Sequence, residues 1–308
     1  MRKEYPMTLE EFEKHFNTEE ACRSYLFELR WPSGFVCPKC SNNKAWSVRT
    51  LLYECSKCHY QVSVIAGTIF QDTRKPLTMW FRAIWWVTSQ KNGSSALGLQ
   101  RILGLRSYQT AWTWLHKLRT AMIRPGRDKL SGYVEVDETY IGSEESGKRG
   151  RGAENKMLIA VAVEVTAKKI GRIRLKRIHD ASSSSLHSFI QNCIEKGSTI
   201  HSDGWSGYNG LEALGYSHDI TIVKGQEKDA SELMPNVHLV VSLIKRWILG
   251  THQGAISVKH LDYYLDEFTF RFNRRASSYR GKLFYRLLEN AVLIEPTTYK
   301  EFVSRKNV

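Results

Sequence analysis

Four of the six cysteines in the chain lie in two closely spaced pairs. Each pair is a C-x-x-C unit, at 37–40 and at 55–58, and 14 residues separate the two units. One such turn offers two thiolates, and four thiolates suit a tetrahedral Zn²⁺ ion. The alternatives are redox dithiols or free buried cysteines, and His59 is a candidate substitute ligand. The spacing predicts one structural zinc ion per chain, bound by Cys37, Cys40, Cys55 and Cys58.

Two aspartates occur in patterns that place a carboxylate at the edge of a sheet. In the segment GYVEVDETYIG, side chains alternate along a strand, so Glu135 and Asp137 face away from Val134 and Val136. Asp203 ends a later predicted strand, in STIHSDGW, where a glycine follows it. Two aspartates at the same end of adjacent strands would form an oxygen-rich site for a divalent ion. An aspartate before a glycine is also an ordinary turn residue, so the spacing alone leaves both interpretations open.

Hydrophobic spacing predicts the elements that must position these residues. Apolar residues three and four apart predict two short helices over 9–29 and three helices over 76–124. Over 132–203 the period changes and predicts the order β-β-β-α-β, with a serine cap on the helix. Further helices are predicted at 235–249 and 258–273.

The segment 94–120 has the pattern of two helices joined by a short turn. The first helix ends near Leu103-Gly104, and the second carries Tyr108, Thr113, Lys117 and Arg119. This pattern is typical of a helix-turn-helix, whose second helix enters the major groove of DNA. An ordinary helical hairpin with a glycine cap would have the same pattern.

The composition indicates a soluble protein with a polyanionic partner. The 308 residues are 42% hydrophobic, enough for two or three domains with their own cores. Forty-five Lys and Arg against 31 Asp and Glu give a net charge of +14 and a pI of about 9.5, which favours a polyanion. The sequence has no long apolar run and no signal-like start, and six cysteines are too few for a disulfide-built fold. We therefore expect a cytoplasmic protein that does not enter a membrane.

Taken in order, the motifs resemble those of a known family. The most specific segments are RWPSGFVCPKC (30–40), VEVDETYIG, LIKRWILGTHQG (243–254) and YLDEFTFRFNRR (264–275). With the cysteine pairs, the helical segment and HSDGW, they resemble the zinc-ribbon insertion-sequence transposases of the DDE class over nearly the whole chain. The resemblance implies a mixed α+β multidomain protein with an N-terminal zinc ribbon, a helix-turn-helix segment, a ribonuclease-H-like α/β catalytic core and C-terminal helices. It also implies metal-dependent cleavage and strand transfer at terminal inverted repeats of double-stranded DNA.

The resemblance also implies roles for four residues. Asp137 matches the first acid of the family and Asp203 the second, and these acids would hold two catalytic Mg²⁺ or Mn²⁺ ions. Many relatives carry a glutamate seven residues before the lysine of the late helix, and counting back from Lys245 gives His238. We therefore predict His238 as the third metal ligand and Lys245 as a phosphate-binding cation.

The third position leaves alternatives open. His238 could be a half-buried surface histidine, with Glu232 or Glu267 completing the site instead. The missing third acid also supports a DNA-binding regulator with an inactive core, and a nuclease or resolvase that cuts without joining is a further alternative.

Basic residues elsewhere are the candidate DNA contacts. The basic stretch 146–152 follows the first predicted catalytic strand, although a solvated hairpin tip would look the same. Because two DNA ends must be joined in concert, a homodimer or a larger synaptic assembly is expected. The predicted DNA-binding residues are Lys117, Arg119, Lys148, Arg149, Arg246, Arg271, Arg274 and Arg275.

The predicted domains follow from these segments. They are N-terminal helices over 1–35, a zinc ribbon over 36–70, a helix-turn-helix segment over 76–125, a ribonuclease-H-like transposase domain over 130–290, and a C-terminal tail over 291–308.

Overall fold

The computed structural model describes residues 5–49, 51–124, 126–142, 156–166, 169–222, 230–254 and 256–304. The helices in this part of the chain are α1 (Leu9–His15), α2 (Glu19–Arg30), α3 (Leu77–Ser89), α4 (Ala96–Leu103), α5 (Tyr108–Thr120), α6 (Ser183–Cys193), α7 (Ala230–Leu233), α8 (Pro235–His252), α9 (Leu261–Phe272), α10 (Arg280–Ala291) and α11 (Tyr299–Ser304). The strands are β1 (Ala45–Val48), β2 (Leu52–Cys55), β3 (Gln61–Ser63), β4 (Tyr133–Ile141), β5 (Met157–Thr166), β6 (Lys169–Arg177), β7 (Thr199–Asp203) and β8 (Ser217–Thr221).

The chain divides into two compact units. The first comprises Met1–Arg124 and Ser277–Arg305, and the second comprises Pro125–Ala276 and Lys306–Val308. Each unit has its own buried apolar residues, as expected of separate domains.

An aromatic cluster holds the helices of the first unit together. The ring of Phe284 on α10 lies 5.4 Å from Phe12, 5.5 Å from Phe16 and 5.7 Å from Phe81, between centroids. These rings are buried, because each helix turns its apolar stripe toward the others. The sequence-based interpretation includes residues 280–290 in the transposase domain, whereas α10 packs on α2 and α3.

A carboxylate from a distant element caps helix α3. Thr18 caps α2 through its own hydroxyl, but Pro76 precedes α3 and makes no side-chain cap. Instead, the Glu19 carboxylate accepts hydrogen bonds from the backbone N–H groups of Leu77 at 2.9 Å and Thr78 at 2.8 Å. Burial opposes ionisation of Glu19, but the hydrogen bonds from Thr78 and Leu77 outweigh it and lower its pKa. Such bonds satisfy donors that a helix cannot pair internally.

Strands β1, β2 and β3 form a small antiparallel sheet in that order, and Cys55 is the last residue of β2. On one face, Tyr53 lies 4.8 Å from Phe27 and 5.8 Å from Trp31, between ring centroids. Arg30 donates to the carbonyls of Ser63 at 2.9 Å and Val64 at 2.8 Å. The sheet therefore rests on the C-terminal end of α2.

The second unit is built on a mixed sheet in the order β6-β5-β4-β7-β8. Strands β4, β5 and β6 pair antiparallel, whereas β7 pairs parallel to β4 and β8 parallel to β7. One face buries Val134 and Val136 against residues of α6. The opposite face packs against α8 and α9. This mixed order, with helices on both faces, is the ribonuclease-H-like arrangement that the resemblance implies.

The predicted order β-β-β-α-β matches β4, β5, β6, α6 and β7, and the two late predicted helices match α8 and α9. Strand β8 and helix α7 were not predicted, and α10 and α11 were expected only as C-terminal helices without bounds. Strand β8 has the sequence SHDIT, in which most residues are exposed, so it lacks a clear apolar pattern. No helix within the described residues is long and apolar enough to span a membrane.

Candidate active site

Asp137 and Asp203 occupy equivalent positions on neighbouring parallel strands. The ladder between β4 and β7 pairs Val134 with Ile200 and Glu135 with His201. The same register, continued two residues along each strand, brings Asp137 opposite Asp203. Because side chains alternate along a strand, the two carboxylates share one face of the sheet.

Burial and a second acid raise the pKa of Asp137 to about 6. Burial is the larger cause, and the nearby Asp203 acts in the same direction. The backbone N–H of Glu138 donates to the Asp137 carboxylate at 2.8 Å, and this bond and Lys245 act against the shift. Two acids that resist simultaneous ionisation are the usual surroundings of a cation, which relieves their repulsion.

Helix α8 brings His238 to these acids. The Nδ1 atom of His238 lies 4.0 Å from an Asp137 carboxylate oxygen, and the two side chains are 31% and 19% exposed. Burial lowers the pKa of His238 against the opposing charges of Glu135 and Asp203, and Lys245 acts in the same direction as burial. A neutral imidazole can donate an electron pair to a metal ion. Lys245 follows two turns later on α8 and is exposed.

The two alternative acids differ in their surroundings. Glu232 lies on α7 and is exposed. Glu267 is buried, and both the Nε and an Nη of Arg271 donate to one of its oxygens, at 2.9 and 2.7 Å. That carboxylate is therefore already neutralised by a cation within its own helix.

Glu135 connects the sheet to the start of α8. One carboxylate oxygen accepts from the side-chain amide of Asn236 at 2.6 Å, and the other accepts from the backbone N–H of Val237 at 2.7 Å. Glu135 is only 3% exposed. Strand alternation predicted that Glu135 shares a face with Asp137, but no role was predicted for it. The signal in the sequence is a glutamate two residues before the first predicted acid, on the same strand face.

The four paired cysteines converge in the first unit. Their sulfur atoms all lie within 4.8 Å of one another, with Cys37 to Cys58 at 3.6 Å and Cys40 to Cys55 at 3.5 Å. Sulfur atoms about 2.3 Å from a shared tetrahedral centre would be roughly 3.8 Å apart. The donor set and its spacing therefore fit Zn²⁺.

The backbone turns at the two C-x-x-C units affect the conformation and the ionisation of the cysteines. In each C-x-x-C unit the residue after the second cysteine has a left-handed backbone: φ is 57° at Ser41 and 55° at His59. Burial raises the pKa of Cys55, but hydrogen bonds from the N–H groups of Cys58 and Lys57 outweigh burial and lower it, whereas the neighbouring thiols raise the pKa of Cys40. A thiolate is the form that binds a metal ion.

His59 is not part of this cluster. Its Nδ1 lies 3.0 Å from a Glu54 carboxylate oxygen, and its side chain is 71% exposed. The ligand group found among the described residues contains the four cysteines and no histidine. Asp137, Asp203 and His238 do not form such a compact group in the described part of the chain, and a site for two ions is wider than a site for one.

Only the N-terminal part of helix α5 is exposed to solvent. Tyr108 is 53% exposed, whereas Arg119 near the other end is 2% exposed. The ammonium of Lys117 donates to the carbonyl of Ile69 at 3.1 Å. The two predicted DNA contacts on this helix are therefore engaged inside the first unit, because the C-terminal half of α5 faces its core.

The arginines at the end of α9 and just after it also make contacts within their own unit. Arg271 is paired with Glu267, as described above. The guanidinium of Arg274 lies 4.1 Å from the ring centroid of Phe270, and that of Arg275 lies 4.1 Å from the ring centroid of Phe272. Arg275 also donates to the carbonyl of Gly171 at 3.2 Å.

Of the predicted DNA contacts that the structure describes, Arg246 on α8, beside Lys245, and Arg275 after α9 are exposed. Lys148 and Arg149 lie outside the described residues. Lys117 and Arg119 of α5 are thus less accessible than Arg246 and Arg275.

Two family models match the chain. An ISXO2-like transposase domain matches residues 129–273, and a transposase zinc-ribbon domain matches residues 17–61. The first match covers the sheet and helices that carry Asp137, Asp203 and His238, and the second covers the four cysteines. A transposase core joined to a zinc ribbon is thus the class of protein that the chain represents.

A relative of the same kind covers most of the chain. It is an uncharacterised protein in the transposable element ISH50 of Halobacterium salinarum, 26% identical over 282 residues, which are 84% of this chain and 92% of that protein. The chain therefore carries both domains of a zinc-ribbon transposase of the DDE class, and this relative also comes from a transposable element.

Solved structures of the Mos1 transposase show a distant likeness. Its paired-end complex with the left transposon end is 11% identical, covers 76% of this chain and 81% of that chain, and has a TM-score of 0.30. Its paired-end complex with Mn is 11% identical, covers 73% and 78%, and has a TM-score of 0.28. Such TM-scores do not by themselves establish a shared arrangement.

Proposed function

We propose that Asp137, Asp203 and His238 hold two divalent metal ions and that this site cuts and rejoins DNA at the ends of an insertion sequence. The observation that carries the proposal is that three groups meet at Asp137: Asp203, at the end of the parallel strand β7, acts on its charge, and His238 lies 4.0 Å away. Hard carboxylate oxygens suit Mg²⁺ or Mn²⁺. When bound, such a pair of ions activates the attacking oxygen and stabilises the leaving oxygen of an in-line displacement.

The side chains of this unit then have separate tasks. Asp137 has both other ligand residues as neighbours, Asp203 on the adjoining strand and His238 at 4.0 Å, and would hold metal together with them. Lys245 holds a phosphate oxygen of the DNA backbone. Water attacks the phosphorus and the 3′ oxygen of the element end leaves, which gives a 3′-hydroxyl. That hydroxyl then attacks a phosphodiester of the target DNA, whose own 3′ oxygen leaves, and no covalent protein–DNA bond forms.

We further propose that Cys37, Cys40, Cys55 and Cys58 bind one structural Zn²⁺ ion. The four sulfur atoms provide a complete tetrahedral set, so the ion has no open position for catalysis. The zinc ribbon and the exposed N-terminal part of α5 would bind the inverted repeats. Joining two ends in concert requires a homodimer or a larger synaptic assembly.

The test is an assay with labelled DNA that carries the element's inverted repeats. The purified full chain, given Mg²⁺ or Mn²⁺, should produce nicked and then joined products. Asp137→Ala and Asp203→Ala should bind the same DNA without cutting it, because each loses a metal ligand. Asp219→Asn is a matched control, since Asp219 lies on β8 of the same sheet, where it accepts a hydrogen bond from Tyr133 at 3.0 Å.

The other outcomes separate the rival functions. Binding without any cleavage would identify a regulator with an inactive core. Cleavage without joining would identify a nuclease or resolvase. Wild-type cleavage by either alanine variant would contradict the metal role of that aspartate.

A further inference from the structure

We propose that Glu135 is a positioning residue of the metal site: from β4 it holds the first turn of α8, so that His238 is delivered to Asp137. This inference rests on the proposed function, because it assumes that His238 and the two aspartates bind metal. It assigns to Glu135 no contact with the metal or with DNA.

Helix α8 lacks a cap of its own. Met234 occupies the N-cap position without a side-chain hydrogen bond, and Pro235 follows at the first helical position, where it has no N–H to donate. The N–H of Val237 would be buried without a partner in the absence of Glu135, because Val237 is fully buried. The carboxylate also lies at the positive end of the helix dipole, where negative charge is favoured.

The strand and the helix touch at two successive points. Glu135 and Asp137 are two residues apart on one strand face, and Val237 and His238 are adjacent on the helix. The first point is the hydrogen bond between Glu135 and Val237, at 2.7 Å. The second is the approach of His238 to Asp137, at 4.0 Å. The hydrogen bond between Glu135 and Val237 therefore sets the position and rotation of the first turn of α8 relative to β4. That position in turn sets the distance between His238 and Asp137.

The remainder of α8 has a separate anchor. Val240, Val241, Ile244 and Ile248 are buried against the sheet and α9. Loss of the Glu135 contact should therefore leave the helix folded and in place, while its first turn moves. The effect is expected at the metal site more than in the stability of the unit.

The glutamine variant separates a positioning role from metal ligation. In Glu135→Gln the amide oxygen can accept from the Val237 N–H, and the amide nitrogen can donate to the Asn236 side chain after that group rotates. Both contacts survive without the charge. A metal ligand would lose its function on this change, whereas a positioning residue keeps it.

The experiment measures Mn²⁺ binding to the full-length protein by electron paramagnetic resonance of the unbound ion, together with thermal unfolding and DNA cleavage. Glu135→Ala should bind Mn²⁺ about 10- to 100-fold more weakly, the usual effect of removing a residue that orients a ligand. Glu135→Gln should stay within about threefold of the wild type by the same reasoning. Glu19→Ala is the matched control: it removes a helix cap of the same kind from α3, and it should lower thermal stability with no change in Mn²⁺ affinity.

Two results would overturn the inference. Equal losses of Mn²⁺ affinity in the alanine and glutamine variants would show that the negative charge of Glu135 matters, and not its hydrogen bonds to the first turn of α8. Wild-type affinity in both would show that α8 needs no such anchor. If Glu135→Ala does not fold, Asn236→Ala replaces it. This variant removes one of the two contacts of Glu135 and should lower Mn²⁺ affinity by less than tenfold. Unchanged Mn²⁺ affinity in Asn236→Ala would also overturn the inference. A wild-type protein that neither binds Mn²⁺ nor cuts DNA would instead refute the proposed function itself.

Discussion

Asp137 and Asp203 stand side by side because β4 and β7 run parallel in a register that pairs Glu135 with His201. The two aspartates are 66 positions apart in the sequence. A shift of one residue in this register would turn one carboxylate to the opposite face of the sheet. The candidate active site thus depends on the pairing of two strands, and α8 then adds His238.

We expect one zinc ion per chain in protein purified without added zinc. A Cys37→Ser, Cys40→Ser variant should lose it, because two of the four thiolates that lie within 4.8 Å are removed. Elemental analysis measures the zinc content. Cys22→Ser and Cys193→Ser are controls, since both cysteines are buried away from the cluster, and they should retain zinc. Full zinc content in the double variant would refute the assignment.

Asp137 should make the metal-free protein less stable as pH rises. Its folded-state pKa is about 6, against an ordinary value of 3.8, so the folded state binds the proton more tightly than the unfolded state. Stability from this group is therefore fully present below about pH 4 and is lost as pH rises toward 6 and above. The loss is on the order of 1–3 kcal/mol.

Urea denaturation in EDTA between pH 4 and 8 measures this effect. Asp137→Asn should remove the part of the pH dependence that lies between about pH 4 and 6 and be more stable than the wild type at pH 7. The pH dependence that remains is expected from Asp266, because burial raises its pKa to about 7. Added Mn²⁺ should reverse the trend, because it binds the ionised carboxylate. A variant with the wild-type pH profile would show that Asp137 is not the group responsible.

His238 should set the choice between metal ions. A neutral imidazole is a softer ligand than a carboxylate and carries no charge, so the wild type should prefer Mn²⁺ to Mg²⁺. His238→Ala should lose most strand transfer, whereas His238→Glu should keep substantial activity and shift the preference toward Mg²⁺. Rates of joined-product formation at matched metal concentrations give the comparison.

Glu232→Gln and Glu267→Gln test the alternatives at the third position. Glu232→Gln should join DNA like the wild type, because Glu232 is exposed on α7. Glu267→Gln should lower stability by leaving Arg271 buried without its charge partner. A variant of Glu232 or Glu267 that is stable but inactive, beside an active His238→Ala, would move the third ligand to that residue.

Lys245 and Arg274 should differ in their contribution to DNA binding. Lys245 is exposed on α8 near the acids, so Lys245→Ala should weaken binding and lower the slope of log affinity against log salt by about one unit. Arg274 stacks on Phe270 and donates to its carbonyl, so Arg274→Ala should leave the slope nearly unchanged. Fluorescence anisotropy over a range of salt concentrations measures both. Equal slopes for the two variants would mean that Arg274 also reaches the phosphates.

The sequence alone determined the chemistry that is local in the chain. A C-x-x-C turn brings two thiolates together within four residues, so the cysteine ligands could be assigned before any fold was known. Alternation along β4 likewise fixed the common face of Glu135 and Asp137, and the hydrophobic period located α8 and α9. These features depend on backbone geometry over a few residues.

The tertiary structure decided what depends on distant partners. The sequence spacing does not show that Glu19 caps α3 or that Glu135 caps α8, because each carboxylate comes from another element. It also does not show that Arg119 is buried or that Arg271 is paired with Glu267, since a basic residue has the same local pattern whether it faces DNA or an internal acceptor. Strand pairing and helix packing bring these groups together, and they determine which charges remain exposed to bind DNA.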